Sequence, residues 1–212
     1  MSVQAAASEQ IIHVVDDDEA LRDSMTWMLE GNNYQVATYE SAEAFLRVIS
    51  PAMAGCVVLD VRMPGMNGLE LFEELGRRRC TLPVVFITGH GDVPMAVSAL
   101  KKGAVDFIEK PFSEADTLRL IEQCLTLERD NRDKRLQEAD TVRRLDHLTQ
   151  REREVLELII IGKLNKQIAD VLGISIKTVE VHRARVMEKM GVNSLAELVQ
   201  HVVTVDADKV LR

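Results

Sequence analysis

The sequence contains no apolar run near the roughly 20 residues that a membrane-spanning helix needs, which predicts a protein without a membrane partner. Its first residues, Met1–Gln10, have neither the basic start nor the apolar core of a secretion signal, and we expect residues 1–9 to be disordered. The three cysteines are widely spaced and form no CxxC motif, a pattern typical of free thiols rather than of disulfides or metal ligands. Together these absences predict a cytoplasmic protein.

Aromatic residues are also scarce, at 4% of the chain, but hydrophobic residues reach 46%, which excludes an intrinsically disordered protein. The 212 residues are enough for two domains. The net charge of −8 would argue against nucleic-acid binding if it were spread evenly. Residues 1–125 carry 19 acidic and 10 basic side chains, whereas residues 148–212 carry 9 and 10. The C-terminal part therefore remains a candidate for nucleic-acid binding.

Apolar runs and helical patterns alternate between residues 10 and 125. Five such units with short connections predict an α/β domain with a doubly wound, five-stranded parallel sheet. Ser41 and Ser113 are candidate N-caps of two of its helices. The expected strands are 10–15, 34–38, 55–59, 83–87 and 105–108, and the expected helices lie near 18–31, 41–50, 68–77, 93–102 and 113–125.

The remaining residues predict a linker and an all-α domain. Residues 126–147 mix charges of both signs without glycine or proline, as in a helical extension or a partly ordered linker. Residues 148–212 then predict four helices, which begin at a Thr149–Glu152 capping box, at Asn165, at Ser175 and at Asn193 or Ser194. The two short helices that flank the turn at Gly173 predict a helix-turn-helix.

Polar side chains follow four of the five expected strands. Asp16 and Asp17 follow the first strand, Asp60 the third, Thr88 the fourth and Lys110 the fifth. Because ligands of open parallel sheets bind at the carboxyl edge, we expect these groups to form one site. Three carboxylates are a hard-oxygen set suited to Mg²⁺ or Mn²⁺, and the cation would neutralise the charge of a phosphoryl group beside a carboxylate nucleophile. The neighbouring Asp18 and Glu19 are interpreted as an acidic helix start.

These residues, with the segment Val57–Gly68, resemble the receiver domain of two-component response regulators. Leu148–Glu152 and Thr178–Arg183 resemble the helix-turn-helix domain of the LuxR/FixJ type, and the order of the domains is that of a FixJ-like response regulator. The resemblance implies a CheY-like, flavodoxin-like fold and a phosphoacceptor, Asp60, that is phosphorylated by a cognate sensor histidine kinase. It also implies a cis Lys110–Pro111 peptide and phosphoryl stabilisation by Thr88 and Lys110. The implied metal ligands are Asp16, Asp17, Asp60 and the main-chain oxygen of Arg62.

The resemblance further implies a switch in which Thr88 moves toward the phosphoryl group and Phe107 changes its packing. Relatives of this type dimerise through the face of residues 93–108, where Val97, Lys101 and Asp106 match. For Phe107, plain core packing is the alternative. For Lys101, the alternative is an ordinary solvated charge.

The third C-terminal helix, residues 176–190, places Val179, Val186 and Met190 on one stripe that predicts its core face. The opposite face combines a small residue, an apolar residue and charges, as entry into the DNA major groove requires. A solvated amphipathic helix is the alternative. The predicted DNA-contacting residues are Lys166, Lys177, Thr178, Glu180, Val181, Arg183, Ala184, Arg185 and Lys189.

The sequence therefore predicts a transcriptional response regulator that is not an enzyme. Its expected partners are the kinase, double-stranded promoter DNA, a second copy of the chain after phosphorylation, and RNA polymerase. A phosphohydrolase with an aspartyl-phosphate intermediate is one alternative, but such enzymes carry a second aspartate two residues after the nucleophile, where this chain has Arg62. A binding module that works without phosphorylation is another. The complete set of polar residues at the strand ends argues against it.

Overall fold

The structure, a computed structural model, describes residues 9–89, 93–203 and 205. Of the segment expected to be disordered, residues 1–8 lie outside the described residues, as do residues 204 and 206–212 of the predicted C-terminal domain. The chain divides into two compact units at the junction of residues 131 and 132. We describe each unit by itself.

The first unit contains a five-stranded sheet in which all pairs of neighbouring strands are parallel, in the order β2-β1-β3-β4-β5. This doubly wound order brings β1, β3 and β4 to the centre and confirms the predicted fold class. The strands are β1 (Ile11–Val15), β2 (Gln35–Tyr39), β3 (Gly55–Asp60), β4 (Val84–Thr88) and β5 (Asp106–Glu109). The helices are α1 (Glu19–Gly31), α2 (Ala42–Val48), α3 (Gly68–Arg77), α4 (Val93–Lys101) and α5 (Glu114–Asp146).

Each face of this sheet is covered by its own hydrophobic core. One core joins α1 and α5 to residues such as Val14 and Val58, and the other joins α2, α3 and α4 to residues such as Val57 and Phe86. Strands β3 and β4 are buried along their whole length, which explains their continuously apolar sequences. Both cores leave the carboxyl edge of the sheet to polar residues.

Helix boundaries follow local signals in most places. Asp18 caps α1 by accepting hydrogen bonds from the N–H groups of Ala20 and Leu21, which agrees with its interpretation as part of a helix start. Helix α2 ends at Val48, earlier than predicted, because Pro51 lacks an N–H and restricts the residue before it. Helix α5 continues to Asp146, so the predicted helix at 113–125 and the predicted linker at 126–147 form one helix.

The second unit contains the end of α5 and α6 (Gln150–Ile160), α7 (Asn165–Leu172), α8 (Ile176–Met190) and α9 (Leu195–Val203). The Thr149–Glu152 capping box and the Ser175 cap are present as predicted. The prediction for Asn165 is wrong: Leu164 occupies the N-cap position, and its N–H donates to the side chain of Gln167. None of the helices in the described part of the chain is long and apolar enough to span a membrane.

Candidate functional site

The carboxyl edge of the sheet surrounds a cavity of about 280 Å³. Its walls come from the β1–α1 loop, the end of β3 and the residues that follow β4 and β5. Strand pairing explains this convergence, because β1, β3, β4 and β5 are neighbours whose carboxyl ends meet at one edge. The lining residues are Asp16, Asp17, Asp18, Asp60, Val61, Arg62, Gly89 and Lys110.

The Lys110 ammonium lies between two buried carboxylates. Its Nζ is 2.8 Å from Asp60 Oδ1 and 3.4 Å from Asp16 Oδ2. Asp60 is 5% exposed, and its other oxygen, Oδ2, accepts a hydrogen bond of 2.7 Å from the N–H of Arg62. The Lys110–Pro111 peptide is cis, as the resemblance implies. Asp60 is therefore held in one orientation at the end of β3, with one oxygen against a cation.

Burial and charge shift the pKa values of two of these groups. Burial raises the pKa of Asp16, and the negative charge of Asp60 adds to the rise, while hydrogen bonds and the Lys110 charge act against it. Burial favours the neutral form of Lys110, but hydrogen bonding to Asp60 and the two carboxylate charges outweigh it, so the pKa of Lys110 lies above its ordinary value. Lys110 therefore remains a cation that can stabilise an added anion.

Thr88 ends β4 next to this site, since Ile87 pairs with Asp60. The side chain of Thr88 is 1% exposed, and its hydroxyl has no hydrogen-bond partner within the part of the chain that the structure describes. A buried hydroxyl without a partner is unfavourable by roughly 1–3 kcal/mol. A ligand oxygen that accepts its hydrogen bond would remove this penalty.

The donor set fits a small hard cation. Asp16 and Asp60 direct carboxylate oxygens toward the same ammonium, and Asp17 and Arg62 line the same cavity. Asp17 is exposed, and among the described residues no three acidic, histidine or cysteine side chains already converge as a metal cluster. Carboxylates, a main-chain carbonyl and solvent are nevertheless the ligands that Mg²⁺ and Mn²⁺ prefer.

The structure reveals two further residues that support this site. Arg22 Nη1 donates a 2.7 Å hydrogen bond to the main-chain oxygen of Asp16 and so holds the acidic loop from α1. Gly68 begins α3 so close to β3 that a Cβ atom there would lie 2.1 Å from the main-chain oxygen of Asp60. The position of Gly68 directly after the Pro/Gly-rich loop is the sequence signal that could have indicated this close approach. The sequence carries no comparable signal for Arg22.

The predicted switch and dimer residues lie on α4 and β5. Phe107 is half-buried and packs against the core that α2, α3 and α4 form with the sheet. Val97 and Lys101 are exposed, and Asp106 is half-buried with one carboxylate oxygen bound to the N–H of Phe107. The predicted dimer face thus combines an apolar residue, Val97, with a positive and a negative charge, Lys101 and Asp106.

In the second unit, Val179, Val186 and Met190 form the buried stripe of α8, as predicted. The opposite side of the helix is open to solvent along most of its length, and the N-cap Ser175 is hydrogen-bonded to Thr178. Of the predicted DNA contacts, Lys166, Lys177, Glu180, Val181, Ala184 and Arg185 are exposed, and Thr178 and Arg183 are half-buried.

Lys189 is placed differently from the other predicted DNA contacts. Its Nζ forms a 2.6 Å ion pair with Glu152, which is 1% exposed, and donates a hydrogen bond of 3.2 Å to the carbonyl of His147. Burial acts to raise the pKa of Glu152, but hydrogen bonds from Lys189 and Thr149 outweigh it and lower that pKa to about 2. We therefore propose that Lys189 stabilises this unit rather than contacting DNA.

Comparison with known families accounts for both units. A family model described as "Response regulator receiver domain" matches residues 12–122, more than half of the chain, and one described as "Bacterial regulatory proteins, luxR family" matches residues 146–202. The chain belongs to the LuxR-type response regulators. It is thus a response regulator of the two-component type with a LuxR-type DNA-binding domain, and its family is one of transcription regulators.

Known relatives of this response regulator align along nearly their whole length. The transcriptional regulatory protein FixJ of Azorhizobium caulinodans is 47% identical over 189 residues, which cover 89% of this chain and 90% of the relative. The transcriptional regulatory protein TdiR of Thauera aromatica is 40% identical over 202 residues, or 95% of this chain and 89% of the relative. The order of the two domains is therefore shared with complete regulators.

Solved structures agree with this assignment. The response regulator StyR has 44% sequence identity and a TM-score of 0.83 over 92% of this chain and 99% of its own. Full-length FixJ from B. japonicum has 42% identity over 92% of this chain and 97% of its own, with a TM-score of 0.59. The fold described above is therefore similar to those of solved response regulators.

Proposed function

We propose that this response regulator is switched by phosphorylation of Asp60. A sensor histidine kinase donates the phosphoryl group: an Asp60 carboxylate oxygen forms the new P–O bond, the P–N bond to the kinase histidine breaks, and the imidazole leaves and takes up a proton. The observation that carries this proposal is the contact between Lys110 and Asp60, beside a Thr88 hydroxyl that has no hydrogen-bond partner among the residues the structure describes. Both groups are suited to bind the oxygens of an added phosphoryl group.

We assign the divalent cation, Mg²⁺ or Mn²⁺, to Asp16, Asp17, Asp60 and the main-chain oxygen of Arg62. When bound, the cation offsets the repulsion between the carboxylate and the incoming phosphoryl oxygens. The chain itself contributes the rest: the N–H of Arg62 fixes one Asp60 oxygen, and the Asp18 N–H holds Asp16 Oδ1 at 2.8 Å. These contacts leave the acidic side chains little freedom to turn away from the site.

The same proposal explains how the phosphoryl group changes the protein surface. The Thr88 hydroxyl gains an acceptor on the phosphoryl group, and its movement opens space for the half-buried Phe107 to pack further inward. The face that contains Val97, Lys101 and Asp106 then pairs with the same face of a second copy across a two-fold axis. Two paired chains present two copies of α8 to two DNA half-sites.

DNA recognition is assigned to the exposed side of α8. Glu180 and Val181 are the proposed base-reading residues, since a carboxylate accepts from cytosine and an apolar side chain contacts the thymine methyl. The proposed phosphate contacts are Lys166 on α7 and Lys177, Arg183 and Arg185 on α8, and the other proposed DNA-contacting residues of α8 are Thr178 and Ala184. RNA polymerase is the expected further partner once the dimer is bound at a promoter.

Light scattering tests the switch without the kinase or the DNA site. The mass of the full chain is measured with Mg²⁺ alone and with Mg²⁺ plus beryllofluoride, which mimics the Asp60 phosphoryl group. We expect a monomer in the first condition and a dimer in the second. Thr88→Ala should bind beryllofluoride but dimerise weakly, and Asp60→Asn should not respond. Unchanged mass with bound beryllofluoride contradicts dimerisation as the switch, and a constitutive dimer contradicts its control by phosphorylation.

A further inference from the structure

Three hydrogen bonds and a shared apolar cluster connect the C-terminal end of α8 to the end of α5, to the α5–α6 turn and to the first turn of α6. Arg144 Nη1, near the end of α5, donates a 2.6 Å hydrogen bond to the main-chain oxygen of Met190, the last residue of α8. Lys189 reaches the carbonyl of His147 and the carboxylate of Glu152. Leu145 is buried in the same apolar cluster as Met190. The last turn of α5 is therefore part of the structure that holds α8.

The hydrogen bond from Arg144 has a clear physical role. The last carbonyls of a helix have no partner within the helix, and they carry the negative end of its dipole. At the end of α8, the N–H groups of Gly191 and Val192 satisfy Glu188 and Met187, and Arg144 supplies a charged donor to Met190. A charge-assisted bond of this kind is both stronger and more directional than a neutral one.

Two neighbouring residues prepare this contact. Asp140 Oδ2 accepts a 2.7 Å hydrogen bond from Arg144 Nε, which orients the guanidinium one turn away on the same helix. Gly191 leaves the space that the guanidinium occupies, because a Cβ atom there would lie 1.8 Å from Arg144 Nη1. Asp140 thus orients the guanidinium, and the absence of a side chain at Gly191 leaves room for it.

We propose that Arg144 is a positioning residue for DNA recognition: by holding the Met190 carbonyl, it fixes the axis of α8 relative to the rest of the second unit. This inference rests on the proposed use of α8 to read DNA. Base contacts require a helix placed to within about 0.5 Å, whereas general attraction to phosphates does not. Loss of the Arg144 contact should therefore weaken binding to a preferred sequence more than binding to an unrelated one.

Arg143 provides a matched control. It is the adjacent residue with the same charge, its side chain is 71% exposed, and its Nη1 is 3.8 Å from the same Asp140. Arg144→Met keeps the aliphatic stem and removes the donors, Arg143→Met removes an equal charge, and Arg144→Lys restores one charged donor. All three changes are made in the full chain.

The test measures binding of each variant, activated with beryllofluoride, to two labelled duplexes by fluorescence anisotropy. One duplex is selected by the wild-type protein from a random pool, and the other is an unrelated duplex of equal length. We expect Arg144→Met to raise the Kd for the selected duplex about tenfold, as loss of one charged hydrogen bond implies. The Kd for the unrelated duplex should change less than twofold, Arg144→Lys should recover most of the loss, and Arg143→Met should match the wild type.

Other outcomes overturn the proposal. Equal losses in Arg144→Met and Arg143→Met would assign the effect to charge alone. Equal losses on both duplexes with a shallower salt dependence would make Arg144 a phosphate contact. If Arg144→Met lowers the melting temperature but leaves the affinity for the selected duplex unchanged at low temperature, the role of Arg144 is purely structural. If Val181→Glu in α8 also leaves binding to the selected duplex intact, the proposed use of α8 itself fails, a result that does not depend on Arg144.

Discussion

Replacing His13 with phenylalanine tests how the stability of the first unit depends on pH. His13 lies in β1, is 2% exposed, and has no hydrogen-bond partner for Nε2 in the described ranges of the chain. Its Nδ1 is 3.2 Å from the hydroxyl of Tyr39. Burial lowers the pKa of His13 from 6.5 to about 4. The folded unit therefore keeps the imidazole neutral under conditions in which the unfolded chain protonates it.

The sign and size of the effect follow from proton linkage. The unfolded chain binds more protons than the folded one between pH 6.5 and pH 4, so the stabilisation is complete above this range and is lost as the pH falls through it. For these two pKa values, the free energy of unfolding should fall by about 2 kcal/mol between pH 7.5 and pH 5. His13→Phe removes the titrating group and keeps a ring against Tyr39 and Phe45, whose ring centres lie 5.9 and 5.5 Å away.

The assay is urea unfolding at both pH values, followed by the fluorescence anisotropy of Trp27, which is the only tryptophan and lies in α1 of the same unit. The wild type should lose about 2 kcal/mol more than His13→Phe on acidification. Equal losses in the two proteins would refute the reasoning. So would an NMR titration in which the His13 ring protonates near pH 6.5 in the folded state.

Three further changes probe the two units. Gly68→Ala should raise the Kd for beryllofluoride about tenfold or more in calorimetry, because the new Cβ would lie 2.1 Å from a main-chain oxygen of β3. Gly76→Ala is the control and should behave as wild type, since its Cβ would meet nothing within 4 Å. Lys110→Met should slow phosphorylation by acetyl phosphate by about 100-fold or more, since it removes the charged donor, while Mg²⁺ should bind more tightly in a titration because a neighbouring cation is lost. Glu152→Gln should destabilise the second unit by about 2 kcal/mol at pH 7, because the Lys189 ammonium loses its charged partner. The difference from wild type should persist above pH 4.5 and vanish as the pH falls toward 2 in thermal melts, since the folded pKa is lowered to about 2.

Local sequence signals were sufficient for most of the fold. Continuous apolar runs such as Val57–Leu59 are typical of strands buried on both faces, and caps such as Thr149 and Ser175 mark helix starts. The extent of α5 is predicted as one of two alternatives, because the charged residues 126–147 fit either a helical extension or a partly ordered linker. The structure has the helical extension, since without glycine or proline nothing ends the helix before Asp146.

The residue types of the acidic site were also predictable, because the topology of a parallel sheet brings strand ends together. Contacts between distant residues were not. Arg22 and Arg144 look like ordinary helix-surface charges in the sequence, and only the folded chain shows each of them donating to a main-chain oxygen. Lys189 is the converse case: helical periodicity places it beside the predicted DNA-facing surface, and only the folded chain shows that it is paired with Glu152 on another helix. Helical periodicity gives the face of a residue but not what packs against it.

Assigning Lys189 to the stability of the second unit changes the expected salt dependence of DNA binding. Four proposed phosphate contacts remain, Lys166, Lys177, Arg183 and Arg185, and each neutralised phosphate contributes about −0.9 to the slope of log K against log salt concentration, or about −4 per bound protomer. Lys177→Met should therefore make the slope shallower by about 0.9 per protomer without changing the stability of the second unit. Lys189→Met should leave the slope unchanged and lower the melting temperature, because its ammonium bonds to Glu152 and to the carbonyl of His147. A shallower slope in Lys189→Met would return this residue to the DNA contacts and would show that the Glu152 ion pair opens when DNA binds.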